Sequence, residues 1–190
     1  MIGSIFNLMS LKERIEKKRA VVVDRWFDLV TESYQADTQS FLKSNKDPFS
    51  NPVRSNTLKA LQGTLEQLLG DMDRDALVAQ LDPAIRIRAV QNFSPAQAVG
   101  FVFALKRVIR EMAGVGSKGG VGGSQAVAEL LELESRIDQV ALVAMDIFLA
   151  CREKIYSLKA NVERDTIYSA FRRAGLVKEE PEDRPPLRVL

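Results

Sequence analysis

The second half of the sequence carries a long helical pattern of apolar residues, which constrains the fold more than any other feature. An apolar pattern runs from Ser124 onward, and over residues 137–158 it recurs at alternating steps of four and three, as in the seam of a heptad repeat. A helix over residues 124–160 would be roughly 55 Å long, more than the width of a small domain. We therefore expect it to project or to pair with a second copy. The residues assigned to this dimerisation and signalling helix are Ile137, Ala141, Ala144, Phe148, Cys151, Ile155 and Leu158.

The rest of the chain also shows helical spacing, and no strand pattern appears. Residues 10–35 form one amphipathic stripe, and Ser10 with Glu13 makes a capping box at its start. A capping residue precedes proline three times, and each pair predicts a helix start. The three pairs are Asn51-Pro52, Asp82-Pro83 and Ser94-Pro95. The sequence therefore predicts an all-α bundle with a long C-terminal helix.

Two further segments carry specific expectations. Residues 36–51 are polar and contain Asp47-Pro48, so we expect a connection held to the core by Phe41, Leu42 and Phe49. The run after Pro95 is apolar on nearly all sides, which is typical of a central buried helix. Its aromatic residues, together with an earlier tryptophan and Phe93, suggest a candidate pocket. The candidate pocket residues are Trp26, Phe93, Phe101 and Phe103.

The absence of histidine argues against most enzyme classes. Histidine is the commonest general acid and base and the usual neutral ligand of haem iron, and the sequence contains none. The single cysteine, Cys151, excludes an intramolecular disulfide and a cysteine-cluster metal site, and its apolar neighbours favour a core position. We expect no catalytic residue, no cofactor and no bound metal.

Several motifs have plain structural explanations. Residues 114–119 match the dinucleotide glycine pattern, but a helix precedes them, so a flexible loop over 114–123 is expected. Glu129, Glu132 and Glu134 suit the first turns of a helix better than a metal site. Five basic residues lie between Pro83 and Arg110, with no acidic residue among them. We interpret them as a solvated face and, with a net charge of only +2, expect no nucleic-acid partner. These basic residues are Arg86, Arg88, Lys106, Arg107 and Arg110.

The N-terminal residues do not have the order of a secretory signal. Residues 1–9 are mildly apolar, and the basic cluster follows them instead of preceding them. The longest apolar stretch covers 98–105, far less than the roughly 20 residues that span a bilayer. We expect a flexible lead over 1–9, no membrane insertion and a cytoplasmic protein.

The order of these elements resembles one known family. The resemblance rests on RWFDLV (25–30), DPFSNPV (47–53), the segment FSPAQAVGFVFALKRVIRE (93–111) and the long helix that begins near Ser124. These segments are similar to the N-terminal, non-haem globin-like sensory domain of the RsbR/RsbRD-type stressosome proteins, the RsbT co-antagonists. The resemblance implies a globin-like bundle over 10–160 that binds no haem and forms a homodimer through its long helix. We expect a short helical extension over 161–176 and a disordered tail over 177–190.

Three functional hypotheses remain open at this level. The leading one is a stand-alone sensory or regulatory module that dimerises and signals to a downstream protein in trans. Because 30 residues follow Ala160, we expect no phosphorylated regulatory domain of the kind that the resemblance would place there. The alternatives are a carrier or sequestering protein for a small apolar ligand, and an accessory protein of a redox complex.

Overall fold

The computed structural model describes residues 9–91, 93–114 and 124–176, which form seven α-helices and no β-strand. An all-α fold with a long last helix is therefore confirmed for the described residues. The predicted loop after Gly114, the predicted tail over 177–190 and residues 1–8 of the predicted lead lie outside them. The helices are α1 (Leu11–Lys17), α2 (Arg19–Thr31), α3 (Ala36–Ser44), α4 (Pro52–Leu69), α5 (Arg74–Val90), α6 (Pro95–Ala113) and α7 (Ser124–Arg173).

Three of the predicted helix starts are confirmed. Ser10 begins α1 with both bonds of a capping box, since its hydroxyl accepts from the Glu13 amide and its amide donates to the Glu13 carboxylate. Ser94 begins α6 in the same way with Gln97. Asn51 begins α4 by accepting from the Arg54 amide at 3.1 Å. In each case a local side chain satisfies an amide that the first turn leaves without a partner.

The predicted helix start at Asp82-Pro83 is wrong. Pro83 lies inside α5, which begins nine residues earlier, where the Asp73 side chain accepts from the Ala76 amide at 2.8 Å. Proline in a helix interior removes one backbone bond and clashes with the preceding turn. Burial of Leu81 and Ile85 on either side of Pro83 compensates for this, because the stripe packs against α4.

Replacing Asp73 with alanine is expected to lower the free energy of unfolding by about 1 kcal/mol, because the first turn of α5 loses its cap. The matched control is Asp82→Ala, at the start predicted from sequence. Asp82 only pairs with Arg86 one turn later on an exposed surface, a contact worth about 0.3–0.5 kcal/mol. Urea denaturation measures both values, and a larger loss for Asp82→Ala would contradict the observed helix start.

The first amphipathic segment is two helices instead of one. The chain breaks at Lys18, whose φ and ψ of −114° and 22° are not helical. The predicted polar connection over 36–51 contains α3, and its attachment to the core differs from the expectation. Leu42 is buried, whereas Phe41 and Phe49 are exposed. Leu42 is the one buried residue of this short helix, which contacts α2 and α4.

The core forms where α2 lies against α4 and α6 and where α4 lies against α5. Trp26 of α2 is its largest fully buried side chain. Helix α6 is not buried on all sides, contrary to the expectation from its apolar run. Phe101 and Leu105 face the core, while Phe103 is 48% exposed. Two residues along a helix are about 200° apart, so the two phenylalanines point to opposite sides.

Helix α7 is continuous to Arg173, so the segment after residue 160 prolongs it without a second helix start. The chain divides into two compact units, Met1–Arg152 and Glu153–Leu190. Within the first unit, polar contacts join α7 to other helices: Glu129 accepts from the Leu11 amide at 2.6 Å, and Arg136 donates to the Gly70 carbonyl at 2.7 Å. The described part of the second unit is the remainder of α7 with residues 174–176.

Candidate functional site

Three of the four candidate pocket residues lie in one aromatic cluster. The ring centres of Trp26 and Phe101 are 6.4 Å apart and stacked, and the Trp26 indole Nε1 donates to the Phe101 carbonyl at 2.7 Å. Phe93 is half-buried and meets the Tyr34 ring edge-on at 5.2 Å. Tyr34 was not among the predicted residues. The cluster thus joins α2, the segment after α2, the connection between α5 and α6, and α6 itself.

Phe103 does not belong to this cluster, so its predicted place among the pocket residues is corrected. Its exposed ring lies on the outer side of α6, where the Lys106 ammonium sits 5.7 Å from the ring centre. The apolar run over 98–105 gave no indication of which aromatic residue faces inward. Contacts of α6 with α2 and α5 decide it.

The centre of the cluster is a charged residue, Arg88 of α5. Its guanidinium carbon lies 4.8 Å from the ring centre of Phe93, 5.0 Å from that of Phe101 and 5.1 Å from that of Tyr34. A cation over an aromatic face is attracted by the ring quadrupole, more strongly where water is excluded. Arg88 is 2% exposed, so its assignment to a solvated basic face is wrong.

A sequence signal for this burial exists. Arg88 continues the spacing of Leu77, Leu81 and Ile85, all of which are buried on the inner stripe of α5. A basic residue at a core position of a periodic pattern is unusual, because charged side chains are rarely buried without a partner. Charge alone, which Arg88 shares with the neighbouring arginines, does not reveal that it occupies a position on this buried stripe.

The polar contacts of Arg88 are all to neutral acceptors. Nη2 donates to the Ser33 hydroxyl at 2.9 Å, and Nη1 lies 3.3 Å from the same oxygen and 3.5 Å from the Gln97 carbonyl. The Ser33 hydroxyl itself donates to the Val30 carbonyl at 2.7 Å. Among the residues that the structure describes, no carboxylate forms an ion pair with Arg88.

Burial acts in opposite directions on the two ionisable groups of the cluster. It lowers the pKa of Arg88 from its ordinary value, and the nearby Tyr34 phenolate charge partly restores it. It raises the pKa of Tyr34, an effect that the positive charge of Arg88 reduces. Arginine remains protonated in proteins. At neutral pH the cluster therefore holds one positive charge and a neutral phenol.

The remaining residues of the predicted basic face are engaged with carboxylates. Two of these pairs join α6 to α7, and two lie within single helices. The pairs are Lys106 with Asp138 at 2.6 Å, Arg110 with Glu134 at 2.6 Å, Arg86 with Asp82 at 2.5 Å and Arg107 with Glu111 at 3.6 Å. Arg88 therefore differs from its neighbours both in burial and in its lack of a described counter-ion.

The heptad seam on α7 is divided by its environment. Ile137, Ala141, Ala144 and Phe148 are buried within the chain's own first unit, so packing inside one chain explains their spacing. Cys151 and Ile155 are half-buried, and Leu158 is exposed. Pairing of the seam with a second copy stays a prediction, and the four buried residues have no surface to offer it in this structure.

The described residues contain no cluster of His, Cys, Asp or Glu side chains arranged to hold a metal ion. The three glutamates at the start of α7 serve other contacts. Glu129 caps α1 through the Leu11 amide, Glu132 pairs with Lys12 and Arg136, and Glu134 pairs with Arg110. None of the described helices is long and apolar enough to cross a bilayer.

These features define an all-α domain with a buried arginine among aromatic rings and a long last helix. The family model of the RsbT co-antagonist protein rsbRD N-terminal domain matches residues 20–162, well over half of the chain. The chain therefore belongs to this family, and the resemblance noted from its sequence segments is confirmed. No curated protein and no solved structure shows significant similarity to it.

Proposed function

We propose that the chain is a sensory or regulatory module of the stressosome type, which dimerises through α7 and acts on another protein in trans. The family assignment supports a regulatory role, because the family is named for co-antagonists that work with a partner protein. We further propose the non-haem, globin-like character and the cytoplasmic location that the resemblance implies. No catalytic residue is assigned.

The observation that carries the dimer is an apolar stripe on the outer side of α7. Leu131, Leu142 and Leu149 lie eleven and seven positions apart, both close to whole numbers of helical turns. Each is more than half exposed, and Leu142 reaches 69%. They lie opposite the face that buries Ile137 and Ala144. When a helix is apolar on two opposite faces, the core of its own chain covers only one of them, and the other face is free to bind another protein.

A second copy of the chain fits this stripe. A stripe on one helix can meet the same stripe of a second copy across a twofold axis, as an isologous interface requires, and two acidic residues flank it. Asp138 is bound by Lys106 and Asp146 by Arg74, so these acids do not repel a second copy as free charges would. We place the interface on this stripe, in the first unit, instead of on the buried part of the heptad seam.

The second unit supplies the surface for the partner in trans. Several large apolar side chains are exposed in the described part of this unit, as is typical of a surface that binds another protein. They are Leu158, Val162, Ile167, Phe171 and Leu176. The carrier hypothesis has less support, because Trp26 and Phe101 are buried in mutual contact, so an apolar ligand does not fit between these two rings.

The double variant Leu142→Glu/Leu149→Glu is expected to be a monomer at about 50 µM, where the unaltered chain is a dimer. Each substitution places a charge that would have to be desolvated and would face its own symmetry mate. Sedimentation equilibrium of the full chain measures the mass.

The matched control is Val90→Glu, an exposed apolar residue at the end of α5, which should leave the dimer intact. A monomeric unaltered chain, or a double variant that still dimerises, would contradict the proposed interface.

A further inference from the structure

Arg88 carries a buried charge that the described residues do not neutralise. Desolvating an ion costs several kcal/mol in a protein, and an opposite charge usually repays it. Here the compensation comes from three ring faces, the Ser33 hydroxyl and the Gln97 carbonyl. The other arginines and lysines from α5 to the end of α6 have carboxylates at 2.5–3.6 Å. Among the described residues, no carboxylate has this role for Arg88.

We propose that Arg88 anchors a binding site for a small monocarboxylate with an apolar body. A guanidinium offers five N–H donors in a planar fork that matches a carboxylate, and the described bonds of Arg88 use two nitrogens on two neutral oxygens. A carboxylate would replace the long contact to Gln97 and form the charge-assisted pair that the site lacks.

The surroundings of Arg88 favour a negative group at this position. Gln97 lies in the first turn of α6, where its own amide is bonded to the Ser94 hydroxyl, so the macrodipole of this 19-residue helix is what favours a negative charge here. The Ser33 hydroxyl lies against both guanidinium nitrogens and can rotate from the Val30 carbonyl to donate to a ligand oxygen. The arginine and the neighbouring hydroxyl thus point to the same ligand chemistry.

Ligand charge and shape follow from the lining. The described site supplies one cationic side chain, which balances one negative charge and leaves a phosphate dianion only half neutralised. Tyr34 and Phe93 are half-buried and meet edge to face, so a ligand that reaches the guanidinium has to displace one of these two rings. Such rings favour an apolar or aromatic body attached to the carboxylate.

A signalling role for this site rests on the proposed regulatory function, whereas carboxylate binding does not. Ala89, the residue after Arg88, accepts a hydrogen bond from Arg152 of α7 at 3.1 Å through its carbonyl. This bond directly connects the helix that carries the site with the long helix. Occupancy of the site is therefore positioned to affect α7.

Benzoate and its neutral analogue benzamide test the site on the full chain by isothermal titration calorimetry. Benzoate is expected to bind at millimolar or lower concentration, with benzamide at least about tenfold weaker, because only benzoate supplies the charge. Trp26 is the single tryptophan and stacks on Phe101, the ring that Arg88 also contacts, so its fluorescence should change with the same saturation. Inorganic phosphate is expected to bind more weakly than benzoate.

Arg88→Met is expected to weaken benzoate at least about tenfold while the protein remains folded, since an apolar side chain of similar length suits a buried site. Arg54→Met is the matched control, because Arg54 also lies over a ring, that of Phe27 at 4.7 Å, but at another place in the fold. It should bind benzoate as the unaltered chain does.

Equal binding of benzoate and benzamide to the unaltered chain would overturn the proposal, as would undetectable benzoate binding at about 10 mM. This comparison needs no variant, so it decides the question even if Arg88→Met fails to fold. Unchanged benzoate affinity in a folded Arg88→Met protein would also overturn it. The dimer is measured separately by sedimentation, so failure of one proposal leaves the other standing.

Discussion

Replacing Trp26 with alanine is expected to lower the free energy of unfolding by about 3–5 kcal/mol. Trp26 is the largest fully buried side chain, and its removal leaves a cavity between α2 and α6. The Nε1 hydrogen bond to the Phe101 carbonyl is lost as well. The substitution also removes the ring that stacks on Phe101, and Phe101 in turn contacts the Arg88 guanidinium. Urea denaturation followed by circular dichroism measures the change.

Phe103→Ala is the control for Trp26→Ala, because Phe103 was grouped with Trp26 on sequence grounds but is exposed. Its loss should cost less than about 1 kcal/mol, the usual range for surface substitutions. Similar losses for the two variants would contradict the placement of Phe103 outside the cluster.

Replacing Phe148 with alanine is expected to destabilise the chain by about 3–5 kcal/mol, because Phe148 is 1% exposed in the first unit's core. The loss should be the same at protein concentrations that differ by about a hundredfold, since a dimer contact would make it concentration-dependent. Chemical denaturation at the two concentrations measures it.

Leu149→Ala is the matched control for Phe148→Ala, one residue further along α7 and more than half exposed. It should change the stability of the monomer by no more than about 0.5 kcal/mol. If the loss of unfolding free energy in Phe148→Ala grows with protein concentration, Phe148 belongs to the dimer interface and the proposed interface is contradicted.

Local capping chemistry made much of the helix order predictable. Ser10, Asn51 and Ser94 each satisfy an amide in their own first turn, so the signal is contained in four consecutive residues. Asp82-Pro83 carries the same signal and failed, because burial on both sides of the proline outweighs a local preference. The break at Lys18 has no glycine, proline or cap, so no local rule would have found it.

The candidate site was only partly predictable. Its aromatic residues Trp26, Phe93 and Phe101 were identified because large apolar side chains concentrate in cores. Arg88 was classified by charge, and its burial depends on the helical face it shares with Leu81 and Ile85. Tyr34 is not predicted, because it is not one of the apolar positions of the stripe over 10–35 and it lies beyond Thr31, where α2 ends.

The sequence by itself determined the class of fold, the family and most helix starts, because helical periodicity and caps are properties of neighbouring residues. The tertiary structure decided which face of α7 is core and which is free. Both faces carry apolar side chains at helical spacing, so the pattern could not distinguish packing within one chain from pairing with another. It also decided that Arg88 is a buried charge, since burial and counter-ions come from helices distant in sequence.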